Sequence, residues 1–202
     1  MADSLRAKNM SLFGYNLNTN PQLQKLYDKG EVYLFKQNVC YTLTFVSLNC
    51  MMNLRNTHIP YDFALENKFK KFPQDYDNKI LQTDNIYADI IEFLAKEKTP
   101  IFAILTADHG ESLGEVYKGR VFTAHGVSLD IAPIEQKQTP LIVYVNDAYK
   151  KLYPQYVKNI EKNMKKYAGK TVESDVISHS LLHCSSIEGT VIDKKLSLCV
   201  SP

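Results

Sequence analysis

Two unbroken apolar stretches, residues 101–106 and 141–145, constrain the fold of this chain more than anything else in it. Neither alternates apolar with polar residues, so neither suits a strand with one face in water. A short continuous apolar run marks a strand covered on both faces, as in parallel sheets with helices above and below. Segments of helical period surround them. Tyr76, Ile80, Tyr87, Ile91 and Leu94 recur at helical spacing, with Lys79, Glu92 and Lys96 off that face, which predicts a helix over 76–98 closed by Pro100. Asn20 as N-cap and Pro21 as first helical residue predict a short helix over 21–29. A strand is expected at 32–35 and a loop entering a helix at 40–52. Asp147 is expected to cap a helix over 148–167 that ends at Gly169, and a further helix is expected over 175–184. Residues 191–200 read as a terminal strand or hairpin. Helices alternating with buried strands give an α/β sandwich, and residues 1–202 are expected to form one domain.

Composition removes several classes of function. Apolar residues at 45% and charged residues at 23% belong to a globular chain rather than a disordered one. A net charge of +2 is too mild to argue for a nucleic-acid partner, and no recognition motif supports one. No window approaches the roughly 18 apolar residues that span a bilayer. The best, 32–52, is interrupted by Lys36, Gln37, Asn38 and Asn49. Residues 1–6 hold no apolar core of a signal peptide, so the chain by itself reads as cytosolic or as cut from something larger. The basic residues Lys150, Lys151, Lys158, Lys162, Lys165, Lys166 and Lys170 read first as a solvated helix face, and second as a rest on an anionic membrane. Four cysteines, Cys40, Cys50, Cys184 and Cys199, permit two disulfides or four buried thiols.

Chemistry concentrates just after the first apolar run, in Asp108-His109-Gly110-Glu111-Ser112-Leu113-Gly114-Glu115. Ligands in open α/β sheets bind at the carboxyl ends of strands. An Asp-His pair there offers one oxygen and one nitrogen donor, both suited to zinc. Neighbouring residues on a strand point to opposite faces, so both reach one metal only if the chain has left the strand, a bend that Gly110 eases. His58 and His125, each read alone, are loop histidines. Thr42 and Thr44 lie between Cys40 and Cys50, and either hydroxyl becomes a competent nucleophile only if a metal lowers its pKa.

Together these residues resemble a known family. The run 108–115, His125-Gly126, Ala132-Pro133 with Glu135-Gln136, and Pro140 with the apolar residues after it are similar to the C-terminal half of the bacterial phosphoethanolamine transferases. These belong to the alkaline phosphatase/sulfatase superfamily and modify lipid A and related surface glycans. Residues 11–15 with Asn18-Thr19-Asn20-Pro21, Thr57-His58 before Tyr61, Tyr76-Asp77-Asn78 with Thr83-Asp84, and 179–182 resemble further segments of the same domain, in the same order.

The resemblance implies a three-layer α/β/α sandwich and assigns roles residue by residue. Thr44 is the nucleophile and a zinc ligand, with Asp108 and His109. His58 and His125 hold the substrate phosphate. Cys40 and Cys50 form a disulfide that closes the nucleophile loop, and the pairing of Cys184 and Cys199 stays open. Phosphatidylethanolamine is the implied donor, lipid A or another surface glycan the acceptor, and a phosphothreonine the intermediate. The implied setting is the periplasmic face of the inner membrane, beside an anchor upstream of this domain, and the implied state is a monomer.

Two departures shape the expectations. The family carries Gly-Glu-Ser ahead of the position of Leu5, at the end of its first strand, and its glutamate is the fourth ligand. Here Ala2-Asp3-Ser4 stands in that place, so Asp3 is the expected fourth ligand, one methylene shorter and without the strand that would hold it. The nucleophile loop and Thr57-His58 are nearly joined, so an internal deletion near 52–56 and a shortened sheet are expected. Low stability and weak or absent activity are the expected consequences. Alternatives are a metal-dependent hydrolase, phosphodiesterase or sulfatase-like, and a non-catalytic remnant of the fold. The chain has no Cys-x-Pro-x-Arg stretch, which a sulfatase resemblance would require.

Overall fold

The computed structural model describes residues 1–52 and 73–202. Two short 3-10 turns, Ala7–Asn9 and Ser11–Phe13, lead into helix α1 (Pro21–Asp28), strand β1 (Val32–Asn38) and helix α2 (Thr44–Met52). Helix α3 (Pro73–Ala95) and strand β2 (Phe102–Thr106) follow. Then come a hairpin of β3 (Ser112–Tyr117) and β4 (Arg120–Ala124), one turn of helix α4 (Ile134–Lys137) and strand β5 (Gln138–Val145). Helices α5 (Asp147–Leu152) and α6 (Pro154–Lys166), strand β6 (Thr171–Glu173), helix α7 (Val176–His183) and a 3-10 turn Lys194–Leu196 complete the order. No helix among the described residues is long and apolar enough to cross a membrane.

The main sheet has the order β2-β5-β1-β6. Alternate residues of each strand enter separate cores on its two faces. Tyr33, Phe35, Leu141, Val143 and Val145 pack with Tyr149, Ile160, Val176 and Ile177 from α5, α6 and α7. Val32, Leu105, Ile142 and Tyr144 pack with Leu23 of α1 and Tyr76, Ile80, Tyr87 and Ile91 of α3. Three layers result, helices on both sides of one sheet. Each fully buried aliphatic side chain contributes roughly 1.5–3 kcal/mol, which is why the sheet centre is so uniformly apolar.

Strand direction departs from expectation. β5 runs antiparallel to β1 and to β2, and only β1–β6 is a parallel pair among the named strands. An unbroken apolar run reports burial on both faces, and says nothing about which way the neighbour runs. The expected long helix over 148–167 is two helices. Pro154 has no N–H to give, and Tyr153 leaves helical geometry at φ −124°, ψ 53°. The cap is Asn146 rather than Asp147, its side chain accepting from Tyr149 N at 2.9 Å. Residues 191–200 form no strand. Their carbonyls are taken by side chains of α6: Asn159 Nδ2 donates to Cys199 O, and Asn163 Nδ2 donates to Leu198 O and Val200 O. The hairpin over 112–124 was not expected from the sequence. Its turn is Lys118-Gly119, both at positive φ.

Both disulfides are present, Cys40–Cys50 and Cys184–Cys199, so the alternative of four free thiols is set aside. The expected deletion near 52–56 falls on residues that, apart from Met52, lie outside the described ones.

Candidate metal centre

The chain leaves β2 at Thr106, so Asp108 and His109 lie off the strand and are free to face one point. Gly110 serves there in a different way from the expected bend. Its N–H donates to Gln136 O and that of Glu111 to Glu135 O, so two backbones run in contact. A Cβ on Gly110 would lie 1.9 Å from Glu135 O, a space only glycine leaves open. Above this seam, Ser47 Oγ of α2 donates to Asp108 O, tying α2 to the Asp-His turn.

The hydrogen bonds of His109 fix its tautomer. Nδ1 lies 2.9 Å from Gly110 O, and a carbonyl only accepts, so Nδ1 carries the proton and Nε2 the lone pair. Burial, with the His125 ring beside it, holds the imidazole's pKa below the ordinary value and keeps it neutral. Three groups converge on Nε2. Thr44 Oγ1 lies 3.0 Å away, Asp108 Oδ2 3.4 Å and Asp3 Oδ1 3.9 Å. Asp108 Oδ1 accepts from Ser4 N and from His109 N, whereas Oδ2 is buried with no hydrogen-bond partner. A buried carboxylate oxygen without a donor is costly unless a cation meets it. Ligand atoms of Asp3, Asp108 and His109 lie within 4.8 Å of one another. Oxygen and imidazole donors at this separation suit zinc.

Asp3 is brought to the site despite the expected lack of a strand to hold it. Ala2 forms a parallel bridge with Ala107, its N–H donating to Thr106 O at 2.8 Å. The next residues are clamped from α3. The Tyr76 hydroxyl accepts from Arg6 N and donates to Ser4 O. Asp3 itself remains mostly exposed, whereas Asp108 and His109 are buried.

The two threonines separate cleanly. Thr42 is buried and donates to Val127 O, whereas Thr44 is exposed at the first turn of α2 and faces His109. Gly126, at φ +98°, lies where a Cβ would strike the Leu43 side chain, so the loop before α2 and the loop after β4 pack directly. That loop carries His125, whose ring centroid is 4.0 Å from that of His109. His125 Nδ1 lies 3.2 Å from Glu111 Oε1 and 3.4 Å from Ser4 Oγ.

Of the residues singled out in the sequence, Thr44, Asp108, His109, Asp3 and His125 meet in space. His58 lies outside the described residues. Cys184 and Cys199 are remote, bridging α7 to the C-terminal segment. Sequence reasoning missed the orienting residues. Glu111 sat within the run 108–115 with no role, although a carboxylate close to an Asp-His pair was a usable signal. Ser4 and Ser47 carried none.

A family model described as Sulfatase matches residues 1–65 and 54–184, most of the chain. The chain belongs to the sulfatase family. Within this family, the phosphoethanolamine transferase EptA of Helicobacter pylori is 37% identical over 107 residues, 53% of this chain and 18% of that protein. The match thus spans less than a fifth of that relative's length. The integral membrane lipooligosaccharide phosphoethanolamine transferase A of Neisseria meningitidis superposes with a TM-score of 0.81 at 18% identity, covering all of this chain and 57% of that one. The C-terminal periplasmic domain of EcEptC from Escherichia coli, solved in complex with Zn, gives 0.73 at 15%, covering all of this chain and 85% of that one. These likenesses carry the mixed α/β layered fold expected from the sequence.

Proposed function

We propose that this chain is the catalytic domain of a zinc-dependent phosphoethanolamine transferase. The carrying observation is the orphaned Asp108 Oδ2, set with Thr44 Oγ1 and Asp3 around the lone pair of His109. Asp3, Thr44, Asp108 and His109 would hold the metal. Bound zinc would supply positive charge that lowers the hydroxyl pKa and offsets charge on the phosphoryl oxygens.

The chain's own residues do the rest. Thr44 stands exposed at the start of α2, so a headgroup in solvent or at a lipid surface can reach Oγ1. Attack by Oγ1 on the phosphorus of phosphatidylethanolamine breaks the bond to diacylglycerol and leaves phosphoethanolamine on Thr44. An acceptor oxygen on lipid A or another surface glycan then displaces Thr44 in a second step. Glu111 orients His125 toward this centre, where the ring meets phosphoryl oxygens, and His58 is proposed as its partner. The periplasmic face of an inner membrane is the proposed setting, and a monomer the proposed state. The likeness to the periplasmic domain of EcEptC supports the setting.

The test is labelling of the zinc-loaded chain with headgroup-labelled phosphatidylethanolamine. Label retained on Thr44, absent in Thr44→Ala and discharged to lipid A supports the transferase. Release of free phosphoethanolamine with no discharge to any glycan makes it a hydrolase. No labelling and no bound zinc makes it a non-catalytic remnant.

A further inference from the structure

Asp3 stands beside a turn that needs holding. Ser4 takes φ +56°, the left-handed region that a residue with a side chain seldom occupies. Such a residue persists where its surroundings fix it from several sides. Upstream, Ala2 N donates to Thr106 O. At the turn, Ser4 N donates to Asp108 Oδ1 and Ser4 O accepts from the Tyr76 hydroxyl. Downstream stands Arg6, whose N–H donates to the same hydroxyl at 2.8 Å. The Asp3 side chain is 77% exposed, so its aim is set by this backbone rather than by packing around the carboxylate.

The Arg6 side chain fastens the turn to a second element. It is buried, with Nη2 2.6 Å from Glu115 Oε1 and Cζ 5.8 Å from the centre of the Tyr76 ring. Nε and Nη1 are buried and meet no acceptor among the described residues, so Glu115 is the contact that balances this charge. A buried charge that loses its partner is strongly destabilising. Glu115 is itself held, because its Oε2 accepts from Leu113 N at 2.6 Å. Between them the β3–β4 register shifts, at Gly114 with φ +112°. A bulge of this kind re-aims a side chain beside a site. The pair thus joins the segment carrying Asp3 to the strand that continues from Asp108 and His109.

We propose that Arg6, through Glu115, is a positioning residue for the metal centre: it holds the Ser4 turn in its left-handed form and so keeps Asp3 aimed at the metal. The proposal rests on the zinc reading above. Arg6 and Glu115 are not among the groups that meet at His109 Nε2, so they act through Asp3 and not by ligation.

The test is zinc affinity in metal-buffered solution, with the urea midpoint of the metal-free chain read alongside. Arg6→Lys keeps the charge and loses the planar fork, and Glu115→Gln keeps an acceptor for Leu113 N and loses the charge. Each is expected to weaken zinc binding about tenfold, the usual scale for a residue that orients a ligand. Arg6→Met combined with Glu115→Leu removes both charges together. Its metal-free midpoint is expected to stay near that of the unaltered chain, with zinc still bound about tenfold more weakly. A pair with a structural role alone would move midpoint and affinity together. In an Asp3→Ala background the same replacements are expected to change zinc affinity by less than about twofold, because the ligand they position is gone. Unchanged affinity in the folded paired variant overturns the proposal, and so does a tenfold loss that persists without Asp3. Should the paired variant not fold, Arg6→Lys and Glu115→Gln decide by the same comparison with and without Asp3. An unaltered chain that binds no zinc ends this proposal together with the zinc reading. One that binds zinc and transfers nothing ends the transferase reading alone, and the affinities still decide the role of Arg6.

Discussion

Thr44 Oγ1 lies 3.0 Å from His109 Nε2, which sets the start of α2 against the turn that follows β2. The contact joins residues 65 positions apart. It depends on the Cys40–Cys50 bridge and on Ser47 holding Asp108 O. Because Thr44 is exposed, its replacement leaves the fold nearly untouched. Thr44→Ala is expected to abolish headgroup labelling, by about 10³-fold or more, with the thermal midpoint shifted by no more than a degree or two. Thr44→Ser retains partial labelling. Equal labelling of the alanine variant and the unaltered chain would move the nucleophile elsewhere.

Asp108 Oδ2 is the atom that most needs a cation. Zinc is therefore expected to raise the unfolding free energy, by about 2.7 kcal/mol at a hundredfold excess over Kd. Asp108→Ala should lose both the bound zinc, by elemental analysis, and that increment. Stabilisation by zinc that survives Asp108→Ala places the metal at some other group.

Gly110 sits in the seam with Glu135. Gly110→Ala forces one backbone to move, at a cost of about 1–3 kcal/mol or more. The urea midpoint is expected to fall, and zinc affinity with it, since Asp108 and His109 ride on the same turn. An unchanged midpoint would show that the seam opens freely.

Asn146 uses all four of its side-chain hydrogen-bonding positions. Oδ1 accepts from Ile101 N and Tyr149 N, and Nδ2 donates to Glu97 O and Thr99 O. Asn146→Ala is expected to cost about 2–4 kcal/mol in denaturant unfolding. Asn146→Asp keeps the two acceptor contacts and loses the donors, so an intermediate loss is expected. A loss below that of an ordinary surface change would contradict this accounting.

Burial, with Lys194 nearby, holds the pKa of His183 below its ordinary 6.5. The unfolded chain then binds more protons between the folded value and 6.5, so stability rises with pH across that window. It is lost as pH falls through the window and levels off below the folded value. His183→Gln should flatten this part of the stability profile, measured by urea midpoints from pH 7.5 down to 4.5. An identical slope in the variant would assign the pH dependence to other groups.

Much of the frame was legible in the residues. The helical period of Tyr76, Ile80, Tyr87 and Ile91 matched the buried face of α3, and of the two apolar runs 141–145 became the buried strand β5, whereas 101–106 became β2, the partly buried strand at the end of the sheet order. Pro154 was as visible as Pro100, yet the smooth periodicity around it suggested one helix where there are two. Of the site, the run 108–115 and its order relative to Cys40 and Cys50 were readable, because local chemistry and spacing leave a mark in sequence. The choice of Thr44 over Thr42 came from the family resemblance and not from local chemistry, since both are threonines in one loop.

The sequence by itself determined the layered α/β class, the Asp-His pair at a strand end and the residue types available for chemistry. These follow from periodicity and composition, which act over a few neighbouring positions. Only the tertiary structure decided that β5 runs against both its neighbours, that Thr44 rather than Thr42 faces His109, and that Asp3 is held at the site by the Ala2–Ala107 bridge. It also left Asp108 Oδ2 buried and without a hydrogen-bond donor among the described residues. Those outcomes depend on contacts between residues scores of positions apart, where packing and hydrogen-bond satisfaction select among arrangements that local propensity leaves equal.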